Sequence, residues 1–127
     1  MVIATLRRII AESRILFRIL AFAVLVFIIV ATLSSPSLRP GTGNVLLDRG
    51  ASFASFGLLL VLGYPQALWR CAIVSLAVIV GLEIAQEMVP GRHGRIGDVI
   101  TKSCGALFGV GLAALILSVL SFKRHQP

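Results

Sequence analysis

The sequence predicts an all-α protein: a four-helix transmembrane bundle with a short interfacial helix at its N-terminus. Three observations predict it. Hydrophobic residues make up 57% of the 127 residues and charged residues only 13%, whereas an ordinary soluble domain carries about 25% charged residues. The mean hydropathy is +0.99. The apolar residues collect into four long runs, separated by short stretches of Pro, Gly and charge. A chain of this length holds a single domain, residues 1–127, and with so little polar surface the bilayer must be its solvent.

Met1 to Ser13 is mixed in character, with Ile3, Leu6, Ile9 and Ile10 at helical spacing. Such a segment suits the membrane interface and leads into the first span. That span is Ile15 to Leu33, which at 1.5 Å per residue reaches about 28 Å. Arg18 lies near its inner end, where a long side chain snorkels to the headgroups. A cleaved signal peptide is the competing reading of this segment. The run is long for a signal sequence, and no clean small-x-small site follows it.

Ser34 to Asn44, with Ser-Ser-Pro, Arg-Pro and Gly-Thr-Gly, is a loop. The second run, Gly50 to Pro65, is slightly short. Val45, Leu46 and Leu47 add a first turn and place Asp48 and Arg49 near the interface. Tyr64-Pro65-Gln66 ends this span, and Leu68-Trp69-Arg70 starts the third, with Tyr64 and Trp69 as interfacial anchors. The third span runs to about Val89, where Pro90-Gly91 stops it. The fourth runs from about Ile96 to Phe122.

Four spans put both termini on one side. Arg7, Arg8, Arg14, Arg18, Arg70, Lys123 and Arg124 lie on that side, and Arg39, Arg49, Arg92, Arg95 and Lys102 on the other. The positive-inside rule then places both termini in the cytoplasm, for a multi-pass membrane protein. The net charge of +7 follows from these helix-end residues and attracts anionic headgroups. Basic residues distributed this way do not make a nucleic-acid face, so no nucleic-acid partner is expected. Cys71 and Cys104 fall at different depths, too far apart for a disulfide. Both read as buried thiols. No spacing suggests a metal site, and no cofactor is expected.

The informative segment is Gly81 to Asp98, which puts carboxylates, an amide and arginines between two apolar runs. Charges held in a membrane are costly and need a reason. Glu83, Gln86 and Glu87 are spaced i, i+3, i+4 and share one helix face. Asp98 and Lys102 are i, i+4 at the start of the fourth span, in the favourable acid-first order. Gly105 and Gly109 continue that face and allow another helix to approach closely, which the sequence suggests is the third span. Two readings stay open. One is an ion-pair network that fixes helix register, with Glu83 or Glu87 paired to Arg92, Arg95 or Arg49. The other is an outer-facing polar pocket. Its candidate ligand-binding residues are Glu83, Gln86, Arg92, Asp98, Lys102, Asp48 and Arg49. His93 in a turn and His125 in the tail carry little signal. Ser52, Ser55 and Ser103 lack a visible His-Asp arrangement. Gly41 and Gly43 lack the context of a phosphate loop.

Glu83-x-x-Gln86, Pro90-Gly91-Arg92 and Asp98, with Gly105 seven residues on, resemble the signature of VanZ-like membrane proteins. Asp48-Arg49-Gly50-Ala51-Ser52-Phe53 with Phe56 resembles that family's Asp-Lys-x-x-His stretch at the head of its second helix. The resemblance is strongest over residues 45–115. It implies four spans and a cell-envelope setting, the family's namesake being associated with teicoplanin resistance. It does not imply a reaction. Three residues depart from the family pattern: Ser52 stands where His is usual, Phe56 where Tyr is usual, and Lys102 where Asn is usual.

Two function classes follow. The first is a non-enzymatic envelope protein that binds a membrane lipid, a cell-wall precursor or a glycopeptide in the pocket. The second is a small membrane enzyme acting on a lipid-linked or phosphorylated substrate. Glu83 or Asp98 would be its acid or base, and Arg92 would hold a phosphate. A subunit of larger machinery is a third, weaker reading. The missing His favours the first.

Overall fold

A computed structural model describes residues 1–33, 45–88 and 96–122. Every described element is helical: α1 (Val2–Glu12), α2 (Arg14–Leu33), α3 (Val45–Gly63), α4 (Leu68–Glu87) and α5 (Ile96–Phe122). Three of these helices are long and apolar enough to cross a membrane, Arg14–Leu33, Leu68–Glu87 and Ile96–Leu120. The sequence predicts four. The remaining candidate, α3, has 19 residues and carries Asp48 in its first turn, followed by Arg49.

α1 and α2 are separate helices. The chain bends at Ser13, whose N–H donates to the Ile9 carbonyl at 2.9 Å. α1 buries no residue. Its ion pair, Arg8 to Glu12 at 2.8 Å, is highly exposed and so adds little stability. α2 also buries little, only Ala21 and Ile28. Ile15, Ile19, Phe22, Phe27 and Val30 point outward. In water, outward faces this apolar would be a liability, whereas lipid accommodates them.

The closest helix pair is α3 against α5, and small residues make it possible. A Cβ on Gly57 would come within 2.5 Å of the Ala106 carbonyl oxygen. A Cβ on Gly105 would strike the Gly50 backbone, and one on Gly109 the Ala54 backbone. The glycine stripe of the fourth span therefore packs against the second span, not the third as the sequence suggests. The reason is complementarity. α3 offers Gly50, Ala54 and Gly57 at helical spacing, while Gly81 on α4 is exposed with open space around it. Where side chains rather than lipid tails drive association, two stripes of small residues fit each other best.

Apolar packing fills the rest. Phe53 and Phe56 of α3 meet Ile28 of α2, Ile79 and Leu82 of α4 and Ala106 of α5 in one cluster. Val61, Leu62, Cys71, Val110 and Ala113 form a second. Cys71 is buried and Cys104 is exposed, and both are free thiols. The expectation of two buried thiols thus fails for Cys104, which lies on the outer surface of α5.

Arg18 does more than reach for headgroups. Its Nε donates to the Gly63 carbonyl at 2.9 Å, and its guanidinium lies 4.3 Å from the Tyr64 ring centroid. It thus supplies a donor to the C-terminal end of α3, where carbonyls have no partner within the helix.

Candidate functional site

The polar cluster forms where α4 ends and α5 begins. Antiparallel neighbours joined by a short connection match in depth. Glu83 lies about one turn before the end of α4, and Lys102 between one and two turns after the start of α5. They meet. The Lys102 ammonium donates to Glu83 Oε1 in an ion pair, and both residues are buried, Lys102 at 1% exposure. One turn toward the helix start, Asp98 pairs with Arg49 of α3, and this pair is partly exposed. One turn beyond Glu83 on α4, the Gln86 amide nitrogen donates to the Thr32 carbonyl of α2 at 3.4 Å. α5 thus joins α3 through Asp98 and α4 through Lys102, and α4 reaches α2 through Gln86.

This arrangement differs from the expected one in its partners. Asp98 and Lys102, four residues apart, do not serve mainly each other, since each makes an ion pair with another helix. Among the described residues Glu83 takes Lys102 and not Arg49. Glu87 faces outward. Asp48 lies one position before Arg49 and is partly buried, and the Ser52 hydroxyl donates to its backbone carbonyl at 2.8 Å. Arg92 and Arg95 lie outside the described residues.

Removing two charges from water costs several kcal/mol each, and attraction offsets this only where remaining lone pairs are also satisfied. Here one is not. Glu83 Oε2 is buried and has no hydrogen-bond partner among the described residues. The Lys102 ammonium satisfies one carboxylate oxygen and leaves the second ready to accept.

The family model described as VanZ/LLP1 matches residues 3–117. The chain belongs to the VanZ/LLP1 family. No curated protein and no solved structure shows a significant match. With its long apolar helices, this VanZ/LLP1 chain is a membrane protein.

The three departures now have locations. Phe56 is 2% exposed within the apolar cluster, so its ring contributes packing and no polar group. The Ser52 hydroxyl is occupied by its own helix. Lys102 supplies the cation for Glu83, and a neutral amide there would leave that carboxylate without its positive partner. Lys102 is therefore half of the buried pair in this VanZ/LLP1 chain. The pairing follows from matched depth across the packed hairpin, which spacing within one helix does not contain.

Proposed function

We propose that this VanZ/LLP1 protein is a four-span protein of the bacterial inner membrane with both termini in the cytoplasm. α3 is the fourth crossing, and α1 lies along the inner interface. The polar cluster is then a pocket open to the outer face, and it binds an envelope lipid, a cell-wall precursor or a glycopeptide. The observation that carries this reading is Glu83 Oε2, buried without a partner among the described residues. A purely structural ion pair gains from satisfying both oxygens, whereas a binding site keeps an acceptor in reserve. A ligand hydroxyl, amide or ammonium fits that acceptor. Arg49 at the partly exposed rim and Arg92 in the α4–α5 connection would receive a phosphate or carboxylate. The pocket would be built by Glu83, Gln86, Asp98 and Lys102, with Asp48 and Arg49 at its edge.

The same oxygen supports a second reading, a membrane enzyme in which Glu83 accepts a proton from a lipid-linked substrate. Purified protein should be titrated with undecaprenyl phosphate and with teicoplanin, and each mixture assayed for turnover. Saturable binding without turnover supports the binding protein, and turnover supports the enzyme. Arg92→Ala should abolish binding while the protein remains folded and inserted. Unchanged affinity in that variant would remove Arg92 from the site.

A further inference from the structure

The opposite end of the bundle holds a second polar feature. A cleft of about 580 Å³ opens between the start of α2 and the α3–α4 turn. Arg14, Arg18 and Arg70 line it, with Tyr64, Gln66 and Trp69. Among the described residues no carboxylate lines it. The nearest acid in sequence, Glu12, is engaged by Arg8. α4, a helix of 20 residues, begins at this cleft, and its N-cap is Ala67, which offers no side-chain acceptor to the first-turn N–H groups. Three arginines and the positive end of a long helix therefore border one open space.

Topology alone accounts for arginines at this end of the bundle but would leave their side chains unanchored. Instead Arg18 is fixed in place by the Gly63 carbonyl and the Tyr64 ring. That anchoring holds one wall of the cleft before any ligand arrives, which lowers the ordering cost of binding. Trp69 is 81% exposed beside it, where an indole suits the headgroup level of a bilayer.

We propose that this cleft is a binding site for an anionic phosphate group, distinct from the polar cluster at the other end. Arg14 and Arg70 clasp the phosphate oxygens with bidentate hydrogen bonds, and Arg18 forms the fixed wall. With no carboxylate among the described residues lining it to receive an ammonium, the site prefers a net-negative headgroup to a zwitterionic one. Two sources carry this chemistry: a phospholipid headgroup at the membrane surface, and a soluble phosphate compound.

Trp69 is the single tryptophan of the chain, so its fluorescence reports this cleft alone. Full-length protein in mild detergent is titrated with dioctanoyl phosphatidylglycerol, with dioctanoyl phosphatidylcholine and with inorganic phosphate. A saturable response to phosphatidylglycerol, at least about tenfold tighter than to phosphatidylcholine, is expected. Inorganic phosphate that matches phosphatidylglycerol identifies a soluble source, and phosphate that binds much more weakly identifies the lipid. Arg14→Gln/Arg70→Gln should weaken the response at least about tenfold. Arg7→Gln removes a charge from a residue outside the cleft, leaves Glu12 paired with Arg8, and should leave the response unchanged. Arg70→Gln alone, at an exposed side chain, should give an intermediate loss and guards against misfolding of the double variant. Equal responses to the two lipids, or equal losses in Arg7→Gln and Arg70→Gln, would overturn the proposal.

Discussion

At the scale of single residues, the fold depends on one buried charge pair whose partners come from different helices. Removing one member of such a pair strands the other in a low-dielectric interior, at a cost of about 3–5 kcal/mol, while replacing both by neutral groups of similar volume is often harmless. Lys102→Met should therefore lower the thermal unfolding temperature in detergent sharply. Adding Glu83→Gln to Lys102→Met should restore most of the loss. A double variant no more stable than the single one would mean that the pair does not act as a unit. The participants are legible from sequence, because ionisable residues inside an apolar run stand out. Their pairing is not. Asp98 and Lys102 satisfy the i, i+4 rule within α5, and that local geometry competes with the contacts across helices, which only the packed bundle decides.

At the scale of helices, the α3–α5 contact is set by small residues, and substitutions should follow the space that each one faces. Gly109→Leu drives a side chain into the Ala54 backbone. It should destabilise the protein by about 1–3 kcal/mol or more, since backbone yields less readily than side chains. A methyl group added at Gly111 would meet nothing within 4 Å among the described residues, so Gly111→Ala should match wild type or improve on it by raising helix propensity. Equal losses at both positions in a thermal-shift assay would contradict the packing described. The helices themselves are legible: apolar runs bounded by Pro, Gly and charge mark the ends of α2 to α5 to within about a turn. The partner of the Gly105–Gly109 stripe is not, because the matching stripe at Gly50, Ala54 and Gly57 hides within a run that opens on Asp48 and Arg49. The part played by Arg18 at the end of α3 is also hidden. Its acceptor is a backbone carbonyl 45 positions away, and no residue identity advertises that.

At the scale of the whole molecule, charge divides between the two ends of the bundle. Among the described residues, Arg7, Arg8, Arg14, Arg18 and Arg70 gather with a single acid, Glu12, where α2 and α4 begin. Asp48, Glu83, Glu87 and Asp98 gather at the other end with Arg49 and Lys102. This asymmetry sets the proposed orientation. A periplasm-active reporter fused after Pro127 should be silent, and one placed in the 34–44 connection should be active. A strong signal at the C-terminal fusion would invert the molecule and turn the polar cluster to the cytoplasm.

The most direct test of the central claim, that the Glu83–Lys102 cluster is a binding site and not merely a brace, uses the charge-neutral variant Glu83→Gln/Lys102→Met. Its affinity for undecaprenyl phosphate and for teicoplanin should be measured beside its unfolding temperature. The account predicts stability close to wild type, loss of binding to whichever probe the wild type holds, and an unchanged Trp69 response to phosphatidylglycerol at the far end. A folded double variant that binds as tightly as wild type would contradict it.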